Sequence, residues 1–229
     1  MIPAIRQISV LVAEDHSIVR EGLCGLLETV GHFTVLGQAR TGREAVDMAR
    51  ILSPDVILMD IGMPILNGID ATRKILEENP KARVLILSAY SDDLHVGRVS
   101  EAEAAGFLEK QTSVEILTQA ICEVASKRPF ISPVIARRMR MERRRRELMY
   151  GADAECATRL TSREAEVLQL VAEGFANKQI AGELSISIKT VEKHRQKVMD
   201  KLNIHGTASL TRYALESGMV EAGAQLKAV

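Results

Sequence analysis

The stretch VILMDIGMPILNGID, residues 56–70, decides the fold. Its first four residues are a short apolar run, suited to a strand buried on both faces, and the run stops on an acid, Asp60. Pro64 and Gly68 then mark a loop, and a helical pattern carries on to Asn79. Strand, charged strand end, loop and helix make one unit of a parallel sheet, whose strands must be joined by crossovers.

The unit recurs on either side. Residues 7–13 (QISVLVA) run into Glu14 and Asp15, then into Val19, Leu23, Leu26 and Leu27 at helical spacing. Residues 33–39 precede a helix over 42–52, residues 84–88 a helix near 92–102, and residues 106–109 a helix over 113–126. This alternation predicts an α/β domain over residues 1–130 with a doubly wound, five-stranded parallel sheet. Ligands of such sheets sit at the carboxyl ends of the strands, where Glu14, Asp15, Asp60, Ser88 and Lys110 all fall.

Those residue types suit phosphoryl transfer. Clustered carboxylates bind Mg²⁺, a small cation that wants oxygen ligands, and a carboxylate can itself be the nucleophile that forms an acyl phosphate. A lysine neutralises charge on the phosphoryl oxygens and a hydroxyl donates to them. The segments VLVAEDH, DIGMPILNGID, VLILSAY and GFLEK match, in order and spacing, the receiver domains of two-component response regulators, which most of residues 7–126 resembles. The resemblance implies a CheY-like receiver. Asp60 is then the phosphoacceptor. Glu14, Asp15, Asp60 and the backbone carbonyl of Gly62 hold Mg²⁺, Lys110 contacts the phosphate, and Ser88 and Phe107 are the switch hydroxyl and aromatic. The chain departs from the pattern at Glu103, where many relatives have glycine, and Gly97 weakens its helix by roughly 1 kcal/mol relative to alanine. In the wider family, the face made by the helix near 92–102, the 106–109 strand and the next helix is a common dimer surface.

After Phe130 the pattern changes. Ser132 as N-cap and Pro133 in the first turn start an arginine-rich helical linker, residues 131–157, with Arg137, Arg138, Arg140 and the run RRRR at 143–146. This cluster reads as a solvated helix face, as phosphate contacts, or as a partner for the acidic receiver. Residues 151–158 are small and polar, as in a hinge.

From Leu160 onward there is no strand signal, so the second domain, residues 158–229, is all-α. Thr161 and Glu164 form a capping box, Gly174 closes that helix, Asn177 caps the next over 178–184, and Ser187 caps a third that runs to about Leu202. A fourth spans 207–217. Two helices joined at 185–187, with Ile180, Leu184, Ile186 and Val191 as anchors, read as a helix-turn-helix. Val191, His194, Val198 and Leu202 share an inward face, which turns Glu192, Lys193, Gln196 and Lys197 outward. The segment LTSREAEVLQLVAEGFANKQIAGELSISIKTVEKHRQKVMDKL resembles the LuxR-type helix-turn-helix of the NarL/FixJ subfamily nearly end to end. The resemblance implies base reading by Glu192, Lys193 and Lys197, phosphate contacts by Lys189, Thr190 and Arg195, a structural His194, and dimerisation through the last helix.

Bulk properties agree. A chain that is 46% hydrophobic can fill packed cores, no apolar run approaches the roughly 20 residues of a membrane span, and residues 1–7 are too short for a signal peptide, so a cytoplasmic location is expected. Cys24, Cys122 and Cys156 lack metal-ligand spacing and read as reduced thiols. Residues 1–130 carry 13 Lys+Arg against 18 Asp+Glu, whereas residues 158–229 carry ten against eight, so the second domain is the mildly basic one. The expectation is a transcription regulator rather than an enzyme. Its partners are a sensor histidine kinase as phosphodonor, double-stranded DNA and a second copy of the chain, with RNA polymerase as a further candidate. Two other readings stay open. A phosphohydrolase on the same kind of sheet would want a second acid two residues after Asp60, where Gly62 stands. A regulator could also keep the pocket without using phosphorylation.

Overall fold

The computed structural model describes residues 7–88, 102–150 and 160–220. The helix expected near 92–102, with its Gly97, falls outside them except for Ala102, as does the whole of the 151–158 hinge. The first part of the chain runs β1 (Ile8–Ala13), α1 (Ser17–Val30), β2 (Phe33–Ala39), α2 (Gly42–Leu52), β3 (Val56–Asp60), α3 (Gly68–Glu78), β4 (Val84–Ser88), β5 (Gly106–Glu109) and α4 (Val114–Ala125). All strands pair in parallel, in the order β2-β1-β3-β4-β5 with a sixth strand beyond β5.

Alternation along the strands divides the core into two layers. Leu11, Ile57, Met59, Ile86 and Phe107 face α2 and α3, packing with Ala45, Ala49, Ile69 and Ile75. Val10, Val12, Leu58, Leu85 and Leu108 face α1 and α4, packing with Leu27, Leu117 and Ile121. All five residues of β3 are buried because helices cover both of its faces. The chain reverses direction across the sheet between β1 and β3, and that opens a crevice between the ends carrying Glu14 and Asp60.

The sixth strand was not expected. β6 (Phe130–Ile131) pairs with Gly106 and Phe107 of β5, and Ser132 N–H donates to the Phe107 carbonyl at 3.0 Å. The expected domain boundary at 130/131 therefore falls inside a strand, because two residues are too few to show a period in sequence. α5 (Pro133–Tyr150) follows, with the Ser132 hydroxyl accepting from Ile135 N–H at 3.3 Å. Ile135 and Met139 pack it onto the sheet, while Arg137, Arg140 and Arg144 are exposed. Glu103 adopts φ 50°, the left-handed region that a glycine enters without cost.

The second part is helical: α6 (Ser162–Ala172), α7 (Asn177–Glu183), α8 (Ile188–Leu202) and α9 (Thr207–Glu216), around Val167, Leu170, Ile180, Val191, Val198 and Leu210. Thr161 and Glu164 form the capping box at the start of α6, and Ser187 caps α8 through Thr190 N–H at 3.1 Å. The cap of α7 differs from expectation. Ala176 holds that position, its N–H bonded by Gln179 Oε1 at 2.8 Å, because the Asn177 side chain is taken by Arg195.

Candidate functional site

The ends of β1, β3 and β5 bring Glu14, Asp15, Asp60 and Lys110 together. Lys110 Nζ lies 2.8 Å from Asp60 Oδ1 and 2.8 Å from Glu14 Oε2. Asp60 Oδ1 also accepts from Ile61 N–H at 2.8 Å, so both contacts fall on one oxygen of the carboxylate. Glu14, Asp15, His16 and Asp60 each place a ligand atom within 4.8 Å of the others. Glu14 Oε2 and Asp15 Oδ1 are out of water, each facing one nitrogen at 2.8 Å, Lys110 Nζ and His16 Nδ1 respectively. Carboxylate oxygens in that state fit a hard divalent cation such as Mg²⁺.

Burial dominates the electrostatics. It pushes the Asp60 carboxyl from an ordinary 3.8 up to about 6, with Lys110 opposing the shift and Glu14 adding to it. The same burial works against charge on Lys110, but Asp60 and Glu14 outweigh it and hold its ammonium above the usual lysine range. Asp15 holds the His16 imidazole above its ordinary value. One pocket residue escaped the sequence reading. Arg20, 3% exposed, donates to the Glu14 carbonyl at 2.8 Å and the Asp15 carbonyl at 3.3 Å, fixing the acidic turn from inside α1. The available signal is an arginine three, four and seven residues before Leu23, Cys24 and Leu27, on the apolar face of that helix.

Of the expected switch residues, Ser88 ends β4 beside Glu109, and its carbonyl accepts from Lys110 N–H at 2.8 Å. Phe107 is buried in the core next to Ile86. Gly62 lies in the loop 61–67, bridged by a Met63 N–H to Ile61 carbonyl bond of 3.0 Å. In the helical unit, Lys189, Glu192, Lys193 and Lys197 are exposed on α8, while Thr190 is half-buried and bonded to Ser187 at 2.8 Å. Arg195, expected to contact phosphate, is half-buried and bonded within the domain. Its guanidinium bonds Asn177 Oδ1 at 2.7 Å and Thr207 Oγ1 at 2.9 Å, bracing α7, α8 and α9 together. His194 is half-buried, and its Nδ1 is out of water without a hydrogen-bond partner.

Residues 10–122 match the response regulator receiver domain family, and residues 158–214 match the bacterial regulatory proteins of the luxR family. Over its whole length the chain is similar to known regulators. It is 32% identical to the transcriptional regulatory protein DegU of Brevibacillus brevis, covering 94% of this chain and 96% of that protein. It belongs to the NarL/FixJ response regulators. The response regulator GacA of Pseudomonas aeruginosa is 33% identical over 94% of this chain and 99% of its own. Among solved structures, RcsB of Salmonella enterica serovar Typhimurium, bound to promoter rprA in the presence of the phosphomimetic BeF3-, is 25% identical. That match covers 91% of this chain and 98% of RcsB, with a TM-score of 0.59.

In this regulator the receiver and the helix-turn-helix domain touch through polar groups that no sequence pattern announced. Gln169 of α6, 1% exposed, donates from Nε2 to the Met63 carbonyl at 3.0 Å and to Glu173 Oε1 at 2.7 Å. Its Oε1 accepts from Asn67 N–H at 2.8 Å and Asn67 Nδ2 at 3.0 Å, so both donors and both lone pairs are used. Both Glu173 oxygens accept from Ile65 N–H at 3.1 Å. Glu166, equally buried, is met by Lys74 at 2.5 Å and Arg43 at 3.3 Å from the receiver, and by Arg163 at 2.9 Å from its own helix.

Proposed function

We propose that this regulator controls transcription by Mg²⁺-dependent phosphorylation of Asp60, taking the phosphoryl group from a partner histidine kinase and binding double-stranded DNA as a dimer. The observation that carries the reading is the convergence of Glu14, Asp15, Asp60 and Lys110 at the sheet's switch point, with Lys110 bridging two carboxylates. Asp60 Oδ2 forms a bond to phosphorus as the donor's P–N bond breaks and the imidazole leaves with a proton. Glu14, Asp15, Asp60 and the Gly62 carbonyl would hold Mg²⁺, which when bound would neutralise charge on the phosphoryl oxygens. Lys110 stabilises the same charge from the β5 side. Ser88 donates to the arriving phosphoryl, and Phe107 follows it inward.

Intact mass after incubation with Mg²⁺ and acetyl phosphate tests this. The wild type gains one phosphoryl group and Asp60→Asn gains none; equal labelling of both would overturn the assignment. On the DNA side, Glu192, Lys193 and Lys197 read base edges while Lys189 and Thr190 meet phosphates. Reversing the charge at Lys193 or Lys197 weakens binding to a specific site, and affinity falls steeply with salt. A footprint unchanged by either reversal would remove α8 from the reading role.

A further inference from the structure

The arginines of α5 form a face of their own. Between Pro133 and Tyr150 the chain carries seven arginines against two glutamates. At about 100° per residue, Arg137, Arg140 and Arg144 fall within one sector of the helix roughly 60° wide, and all three are exposed. That sector lies roughly 150° round the axis from Ile135 and Met139, the two residues that pack α5 onto the sheet. Packing therefore sets the orientation: with Ile135 and Met139 inward, the basic stripe points away from the receiver.

The stripe also lacks counter-charge. Exposed arginines elsewhere sit beside acids, Arg50 with Asp47, Arg128 with Glu123 and Arg212 with Glu216. Among the described residues no carboxylate pairs with Arg137, Arg140 or Arg144, although residues 1–130 hold 18 acids against 13 bases. That removes the acidic receiver as the partner of these three side chains. Like charges three and four positions apart repel along a helix face, so the stripe weakens the helix that carries it. A partner that brings a row of negative charges offsets the repulsion.

We propose that α5 is a second DNA contact, in which Arg137, Arg140 and Arg144 bind backbone phosphates of the duplex flanking the site held by α8 and read no bases. The proposal rests on the DNA-binding reading above. From Arg137 to Arg144 the helix rises about 10 Å, over which one strand of a duplex presents about three phosphates, one for each guanidinium. The planar guanidinium fork suits phosphate oxygens, which it meets in pairs. α5 leads into the helix-turn-helix domain through residues 151–159, which reach at most roughly 30 Å. A duplex held by α8 is thereby kept near the stripe, and the second contact forms at high effective concentration. A membrane surface fits less well, since it wants an apolar helix face beside the basic one, and Ile135 and Met139 are taken up by the sheet.

The test uses the full chain and two long duplexes, one carrying a site that the protein selects from a random pool and one of unselected sequence, titrated with salt. Arg137→Gln, Arg140→Gln and Arg144→Gln together are expected to flatten the slope of log affinity against log salt by about 2–3, at roughly 0.9 per phosphate, and to weaken both duplexes by the same factor. The ratio of the two affinities stays at the wild-type value, whereas Lys193→Glu lowers it. Trimming the flanks from the selected duplex brings the wild type to the slope of the triple variant. A control that loses three exposed charges elsewhere on the receiver, Arg40→Gln, Lys81→Gln and Lys127→Gln, keeps the wild-type slope. An unchanged slope in the α5 variant, an equal fall in the control, or a wild-type slope indifferent to trimming would overturn the proposal. So would loss of binding to phosphatidylserine vesicles with DNA binding intact. Failure of the wild type to bind either duplex would overturn the DNA-binding reading instead.

Discussion

Two clusters of buried charge flank the loop 61–67, and they are built to opposite ends. At the sheet edge, Glu14 and Asp60 share one lysine while Asp15 faces His16, and burial leaves Asp60 hard to ionise. At the domain interface, the single carboxylate of Glu166 meets three cations, and the amide of Gln169 is fully bonded. The first cluster lacks positive charge and suits a ligand that brings it. The second carries its own counter-charges and suits a joint. A low-dielectric surrounding amplifies both, which makes the one reactive and the other costly to open.

The contrast can be broken at several points, beginning at the loop that joins the clusters. Gly68→Ala forces backbone against the Asp60 carbonyl and is expected to cost about 4 kcal/mol or more, read as a loss of folded protein in urea titration. Next comes the joint. Glu166→Ala strands Arg43, Lys74 and Arg163 and costs about 3 kcal/mol, with calorimetry resolving separate melting of the two domains where the wild type melts as one.

The pocket responds in the other direction. With Asp60 raised from 3.8 to about 6, the folded chain holds a proton that the unfolded chain releases between roughly pH 4 and 6, so stability falls as pH rises through that window. In chelator, Asp60→Asn therefore gains about 3 kcal/mol at pH 7 and nothing below about pH 4. A gain that is flat with pH would mean that burial is not what sets the Asp60 carboxyl. The smallest effect marks the baseline. Arg50 and Asp47 pair at 2.7 Å but are 60% and 51% exposed, and Arg50→Ala changes stability by less than about 0.5 kcal/mol.

The two clusters also differ in how far the sequence shows them. Glu14, Asp15, Asp60 and Lys110 each end a short apolar run, and a parallel sheet brings all such ends to one edge, so local pattern and topology together reveal the pocket. Gln169 meets Asn67 across 102 positions, and neither residue type stands out in a helix or a loop. The one trace of the joint is in α6 itself, where residues 164–171 are buried without a break. A helix covered on every side needs a second neighbour, and an amphipathic reading of Val167, Leu168 and Val171 supplies only one. Asn177 fails as a cap for a related reason. Asparagine is a good cap, but Arg195, 18 residues on, competes for the same oxygen.

The short strand β6 bears on how such proteins recombine. The receiver's sheet does not finish at the helix after Lys110; it takes in Phe130 and Ile131, and its hydrophobic layer takes in Ile135 and Met139. A fusion that inherits this receiver with a foreign output domain must carry the chain past Met139. Cut sooner, it loses a layer of packing and bares the backbone of β5 as an open edge on which another chain can add a strand.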